Sequence, residues 1–358
     1  MSIQSATLPG VSPLHSSEST DGSGRRVVFI AYDAEGHVGY HLMQAADKLR
    51  IPYRVMSPAL AFDAPWLISK FNWHLRGHRP SKLEQFGRRA LELAHSIRAT
   101  HVIATGIAPL PKATVRALRN EGMRVVNWLT DDPWNAAHKA PWFVETIPEY
   151  DVVFTPRSAI TDDLRAAGAR AVEMMPFAYC SSCHFAARRY DERSAVSFVG
   201  GADADRVGYM RALIKAGVDL ELYGGYWNEK RGLGDSARGF VDTAGYRAVV
   251  AGTAVSLCLV REANRDAHVM RSYELPAMRA CILAQDTPDH RELYGADGET
   301  VRYFSSEADV AARAQELLRD GAERERLAVA VHSRVVRPEN SYYARLESLL
   351  WPGPTIPL

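Results

Sequence analysis

The sequence predicts an α/β protein built from two doubly wound domains that face each other across a cleft. Three observations carry this reading. At 358 residues the chain exceeds the usual size of one hydrophobic core. Short apolar runs alternate with helical patterns in two successive series, the signature of parallel sheets covered by helices. Between the two series the pattern lapses, over the polar stretch 179–193. In such folds ligands bind at the carboxyl ends of the strands.

Residues 1–24 are rich in Ser, Gly and Pro and have little apolar surface to offset the entropy of ordering, so they are expected to be a disordered tail. The N-terminal domain, residues 25–178, opens with VVFIA (residues 27–31), the helical pattern LMQAADKL and YRVM (residues 53–56), a βαβ unit. It continues with HVIAT (101–105), a helix from about 112 to 120, RVVNWL (124–129), DVVFT (151–155), a short helix ending at Gly168, and AVEMM (171–175). These short apolar runs read as buried parallel strands. Residues 179–193 read as a linker.

The C-terminal domain, residues 194–338, begins with AVSFVGG (195–201) and a helix from about 206 to 216. DLELYG (219–224), VSLCLV (255–260), a helix near 272–280 leading into an apolar strand, and a helix over 309–318 follow. Residues 339–358 are expected to form a last helix that packs back across the junction, followed by a Pro-rich tail.

Composition excludes several classes of function. Lys plus Arg number 43 against 42 Asp plus Glu, a net charge of +1, so no global field favours nucleic acid or an anionic membrane. No apolar run approaches the ~20 residues of a membrane span, and the first residues lack the apolar centre of a signal peptide. The expected location is cytoplasmic. The stretch WLISKFNWHLRGHRP (66–80) mixes aromatic and basic residues, which suits either peripheral membrane contact or an amphipathic helix on its own domain.

Four cysteines in so long a chain do not form a disulfide framework, and reduced thiols are expected. CSSCH (180–184) has the letters of a c-type haem attachment site. Such attachment belongs to exported chains, so the match reads as coincidence within the linker. A structural zinc needs four ligands, and Cys258 and Cys281 are too far along the chain to supply a second close pair. No metal or haem is expected.

The chemistry concentrates at a few positions. Gly200 and Gly201 end a strand just before a helix, where backbone N–H groups and the helix dipole can meet a phosphate. A dipole contributes ~0.3–1 kcal/mol, whereas charge-assisted bonds from arginine contribute ~1.5–3 kcal/mol each. Arg206 and Arg271 are therefore the candidate diphosphate ligands. Asp266 and Glu274 are carboxylates in the segment NRDAHVMRSYE, and Glu274 is suited to accept ribose hydroxyls. In the N-terminal half, Gly36 permits a tight turn after the first strand, and His37 is placed to act as a base. Asp131 and Asp132 follow the strand RVVNWL and precede Pro133. Asp131 is the candidate for orienting an acceptor, although Asp-Asp-Pro also opens turns.

Several segments together resemble the CgeB-like spore-maturation glycosyltransferases, within the retaining GT-B superfamily of paired Rossmann-like domains. They are WLTDDPW (128–134), VSFVGG followed by Arg206, LYGGYW (222–227), VSLCLVREANRDAHVMRSYE and RELYGADGETVRYFSSEADV. The resemblance spans roughly residues 128–350. It implies a metal-independent, hexosyltransferase-like enzyme whose co-substrate is a nucleoside diphosphate sugar and whose acceptor is a glycan, a lipid-linked molecule or a small molecule.

By that resemblance Gly200, Gly201 and Arg206 hold the donor diphosphate, and Tyr223 to Gly225, Gly224 among them, lie near the base. Glu274 is the second acid of the superfamily's carboxylate pair and contacts the ribose. Asp266 takes the place of the first, usually a glutamate, and so departs from the pattern. The segment around His37 is similar to the Gly-His loop of inverting enzymes, so retention and inversion both stay open. The alternatives are a nucleoside diphosphate sugar epimerase on the same fold and a sugar-nucleotide-binding protein without turnover.

Overall fold

The structure is a computed structural model that describes residues 24–65, 77–137, 139–187 and 195–351. Most of the expected N-terminal tail, most of the aromatic stretch 66–80, the end of the expected linker and the tail after 351 lie outside the described residues.

The chain divides into two compact units. Unit 1 contains the residues up to Pro176, with Ala263–Arg265 and the chain from Arg345; unit 2 contains Phe177–Glu262 and Asp266–Ala344.

Unit 1 is a six-stranded sheet whose strands run β1 Val27–Ile30, β2 Tyr53–Met56, β3 His101–Thr105, β4 Arg124–Trp128, β5 Val152–Thr155 and β6 Val172–Met174. Their order is β2-β1-β3-β4-β5-β6, and all pairings are parallel. Every residue of β1 is buried, as a β-branched and aromatic run with helices on both faces requires. Strand order reverses between β1 and β3, which places the unit's switch point beside the loops that carry His37 and Gly106.

Unit 2 repeats the plan with β7 Val196–Val199, β8 Leu220–Tyr223, β9 Ala237–Gly239, β10 Val255–Cys258, β11 Ile282–Gln285 and β12 Arg302–Phe304. The order is β12-β11-β10-β7-β8-β9, again all parallel. Its core joins Phe198, Leu222, Leu257, Leu283, Val310 and Leu327. Here the switch point falls between β7 and β10. The loops that leave those two strands lead to Gly200, Gly201 and Arg206 on one side and to Arg271 and Glu274 on the other.

The division into units cuts across the sequence order in three places. The stretch expected as a linker belongs, over residues 179–187, to unit 2: Tyr179 bridges to Ser341, and Cys180 to His184 form a buried-edged turn. The loop after β10 lends Ala263–Arg265 to unit 1, where Asn264 Oδ1 accepts from the Asp132 N–H at 2.9 Å. The last helix, Tyr342–Leu350, sends its second half to unit 1, with the buried Arg345 donating from Nε to Pro176 O at 2.8 Å.

Candidate functional site

The loop after β7 is built around a close approach of two backbones. Gly200 N–H donates to Tyr223 O at 2.8 Å, and Gly200 O accepts from Trp227 Nε1 at 2.7 Å. A Cβ on Gly224, whose φ is +119°, would stand 2.5 Å from Gly200 O, so only glycine fits there. A Cβ on Gly201, by contrast, would meet nothing within 4 Å. The backbone at Gly201 is therefore open, three residues before the helix Ala204–Lys215.

Arg206, 6% exposed, ties this loop to β10. Its Nη1 donates to Gly201 O at 3.2 Å and to Asp203 Oδ2 at 2.9 Å, while Nε and Nη2 both reach Val260 O at 3.3 Å. Four of its five N–H bonds are thus engaged within the protein. The sequence marks Arg206 as a diphosphate ligand, and in the structure these bonds also brace the loop. Burial lowers its pKa to about 10. Asp203 opposes that fall, and the charges of Arg271 and Arg261 add to it.

Arg271 begins the helix Arg271–Ala277 and, unlike Arg206, makes no side-chain hydrogen bond among the described residues. Its Nε is buried without a hydrogen-bond partner, and among the described residues no carboxylate forms an ion pair with it. Arg271 lines a small crevice together with Ser197, Val199, Ser256 and Tyr246. A half-buried cation next to a second buried cation is unfavourable by desolvation and by repulsion unless an anion joins them.

Glu274 lies one turn further along the same helix and is 4% exposed. Its Oε1 is 3.8 Å from His184 Nε2. His184 Nδ1 accepts the Cys180 N–H at 3.1 Å, which leaves Nε2 as the protonated nitrogen, turned to the carboxylate. Burial first, and the Glu274 charge second, raise the Tyr246 phenol well above its ordinary value.

The helix bearing Arg271 and Glu274 is fixed by a buried relay. Val269 N–H donates to Ser272 Oγ at 3.0 Å, Ser272 pairs with His290 Nε2 at 2.8 Å, and His290 Nδ1 pairs with Gln285 O at 2.7 Å. The carbonyl can only accept, so His290 is protonated on Nδ1 and accepts the hydrogen bond of the Ser272 hydroxyl on Nε2. Burial lowers the His290 pKa to about 4. Ser272 and His290 are fully buried, so this pair is a brace rather than a nucleophile and base.

Gly200, Gly201, Arg206, Arg271 and Glu274 are therefore gathered at one switch point. Tyr223 contributes its backbone carbonyl to the glycine loop, while its hydroxyl turns to Glu221 Oε2 at 3.1 Å. Asp266 lies in the loop between β10 and the Arg271 helix, its N–H donating to Arg261 O at 3.2 Å.

In unit 1, Gly36 has φ +80°, and His37 starts the helix Val38–Leu49 without capping it through its side chain. Its ring lies 5.3 Å from that of Tyr32. Burial, then the neighbouring His41, lowers its pKa, with Asp131 and Asp33 acting in the opposite sense. Asp131 lies near the loop after β3, where a Cβ on Gly106 would be 3.3 Å from its Oδ2. Its neighbour Asp132 is structural. Asp132 is bracketed by Arg265 at 2.6 and 3.1 Å and accepts from Trp134 N–H at 2.9 Å, the turn-forming use of Asp-Asp-Pro.

His184, Tyr246, Ser272 and His290 were not singled out from the sequence for these roles. CSSCH was visible, but its partner Glu274 is ninety positions away, and nothing local reveals that pairing.

The class this architecture defines is the GT-B fold: two Rossmann-like α/β units with parallel sheets. Residues 206–350 match the family described as glycosyl transferase-like. Among solved structures, a sucrose-phosphate synthase from Thermosynechococcus elongatus superposes with TM-score 0.66 at 13% identity, covering 91% of this chain and 98% of that one. HepE of Anabaena, in complex with UDP and glucose, gives 0.62 at 10% identity over 91% and 98%. A putative UDP-N-acetylglucosamine 2-epimerase from Listeria monocytogenes gives 0.53 at 12% identity over 93% and 98%. No curated protein sequence matches the chain. Among the described residues no helix is long and apolar enough to cross a membrane.

Proposed function

We propose that the protein is a glycosyltransferase that binds a nucleoside diphosphate sugar in unit 2 and transfers the sugar to an acceptor hydroxyl. The observation that carries this reading is the unpaired Arg271 guanidinium beside Arg206, at the switch point where the open Gly201 backbone and the Glu274 carboxylate also lie. A diphosphate supplies the missing negative charge, and a ribose supplies hydroxyl donors for Glu274. The glycosyl transferase-like match over residues 206–350 covers this set, and HepE, a protein of similar fold, binds UDP.

In this reading the leaving diphosphate gains charge in the transition state, and Arg271, with the backbone N–H groups at Gly201, stabilises it. Arg206 holds that backbone in place. A fixed guanidinium does the work a metal ion would do, so chelator leaves the rate unchanged. His37, kept neutral at pH 7, removes the acceptor proton, and Asp131 orients the acceptor. Asp266 stands in for the superfamily's first acid and completes the donor sugar's contacts. The acceptor is a glycan, a lipid-linked molecule or a small molecule, and a cytoplasmic, hexosyltransferase-like enzyme of the CgeB-like type is the finer assignment we favour.

The test is a thermal-shift panel of UDP, GDP, ADP, CMP and dTDP sugars, since a ligand of the folded state raises its stability. One nucleotide series is expected to stabilise the protein, with sugar release or transfer on incubation. Absence of any shift across the panel contradicts the proposal. The fold shared with the Listeria epimerase supports a second reading, in which the donor sugar is isomerised; an epimeric sugar product formed without acceptor identifies that activity.

A further inference from the structure

Three features of unit 2 converge on the turn Cys180 to His184. Both cysteines are buried thiols, and their Sγ atoms lie within 4.8 Å of each other. The backbone between them is already closed, with Cys183 N–H donating to Cys180 O at 3.0 Å. Ser182 Oγ lies 3.1 Å from Cys180 Sγ and 3.8 Å from Cys183 Sγ. Ser181 and Ser182, between the two, are exposed, which places the turn at the protein surface.

The same turn is mechanically coupled to the donor site. The Cys180 N–H fixes the tautomer of His184, whose Nε2 faces Glu274. Cys183 O accepts from Arg247 Nη1 at 2.8 Å, and the Arg247 guanidinium stacks over Phe185 at 4.4 Å. That anchors the C-terminal side of the turn to the helix Thr243–Gly252, which also carries Tyr246. With one side held, closure of the sulfurs from non-bonded separation to a bond of about 2 Å must be taken up on the Cys180 side. The Cys180 N–H moves with that side, and with it the hydrogen bond that orients the His184 imidazole.

We propose that Cys180 and Cys183 are a reversible disulfide modification site that regulates donor binding through His184 and Glu274. The oxidant is a low-molecular-weight disulfide. One cysteine thiolate attacks it and releases one thiol, leaving a mixed disulfide. The second cysteine, deprotonated, then attacks the protein sulfur of the mixed disulfide and releases the second thiol. Two protein thiols are oxidised and one small disulfide is reduced to two thiols. The resulting displacement of His184 removes the N–H that faces Glu274, and the carboxylate is no longer held for the ribose. The effect on nucleotide rests on the donor-site reading above; the crosslink and its effect on the Glu274 helix do not.

The experiment equilibrates the full chain in glutathione buffers of increasing oxidised fraction. Alkylation followed by peptide mass analysis reads the crosslink, amide hydrogen exchange reads residues 271–277, and UDP titration reads binding. We expect a Cys180–Cys183 crosslink reversed by dithiothreitol, faster exchange over 271–277, and a several-fold weaker UDP affinity. Cys183→Ser is expected to keep its affinity at every poise; should it melt early, Cys180→Ala serves as the same control. No crosslink, or a crosslink that leaves both exchange and affinity unchanged, overturns the proposal, as does an equal loss of affinity in the serine variant. A crosslink that loosens 271–277 in a protein that binds none of UDP, GDP, ADP, CMP and dTDP in either state upholds the switch and refutes the donor-site reading instead.

Discussion

Nε and Nη2 of Arg206 both lie 3.3 Å from the carbonyl oxygen of Val260, a two-pronged grip that fastens the helix after β7 to the chain leaving β10. Only a planar guanidinium makes this grip while also reaching Gly201 O and Asp203. Arg206→Lys is therefore expected to destabilise the protein by about 1–3 kcal/mol, since buried carbonyls lose their donors. The thermal unfolding midpoint without ligand checks it. An unchanged midpoint means that the brace carries no weight.

Glu274→Gln keeps the side-chain volume and removes the charge that faces His184 and the ribose. UDP affinity is expected to fall by about tenfold or more, the worth of a hydrogen bond to a charged acceptor. A 2′,3′-dideoxy analogue distinguishes the role. The wild type should bind the analogue more weakly than UDP, whereas the variant should bind both alike. Equal discrimination in both proteins removes Glu274 from the ribose.

Acid should loosen the brace behind Arg271 and Glu274. The folded pKa of His290, about 4, lies below its ordinary 6.5, so the unfolded chain binds the proton first. The stability that His290 contributes is complete above pH 6.5 and is lost as pH falls from 6.5 towards 4, roughly 3 kcal/mol in all. In His290→Asn this part of the acid dependence should vanish, although the variant starts less stable. Parallel stability-versus-pH curves for the two proteins contradict the assignment.

His37 is expected to act in turnover and not in donor binding. His37→Ala should lower kcat by about a hundredfold to ten-thousandfold, the usual contribution of a general base, with UDP affinity unchanged. Its pKa is lowered, chiefly by burial. The acid limb of the wild-type kcat profile should therefore lie below pH 6.5 and disappear in the variant.

Both sheets were legible because apolar runs such as VVFI and VSFV are buried on both faces, and no local alternative competes with a strand. β9, Ala237–Gly239, was missed. It is three residues long, partly exposed and ends in glycine, so pairing with β8 creates it and apolar pattern does not. The helix Leu83–Ser96 follows the aromatic stretch 66–80, and its apolar stripe went unread beside that segment.

At the site, Gly200, Gly201, Arg206, Arg271 and Glu274 were visible as residues, because a strand-to-helix turn announces itself in sequence. What was hidden is which arginine braces and which waits for a ligand. That depends on a carbonyl 54 positions away and on the absence of a partner for Arg271 among the described residues, both of which are properties of packing.

The most direct measurement is a UDP titration and a ligand-free melting curve on Arg271→Ala. Arg271 is an unpaired, half-buried cation, so its removal should leave the melting temperature unchanged or higher. UDP affinity should fall by about 1.5–3 kcal/mol, roughly tenfold to a hundredfold or somewhat more. A variant that binds UDP as tightly as the wild type contradicts the account.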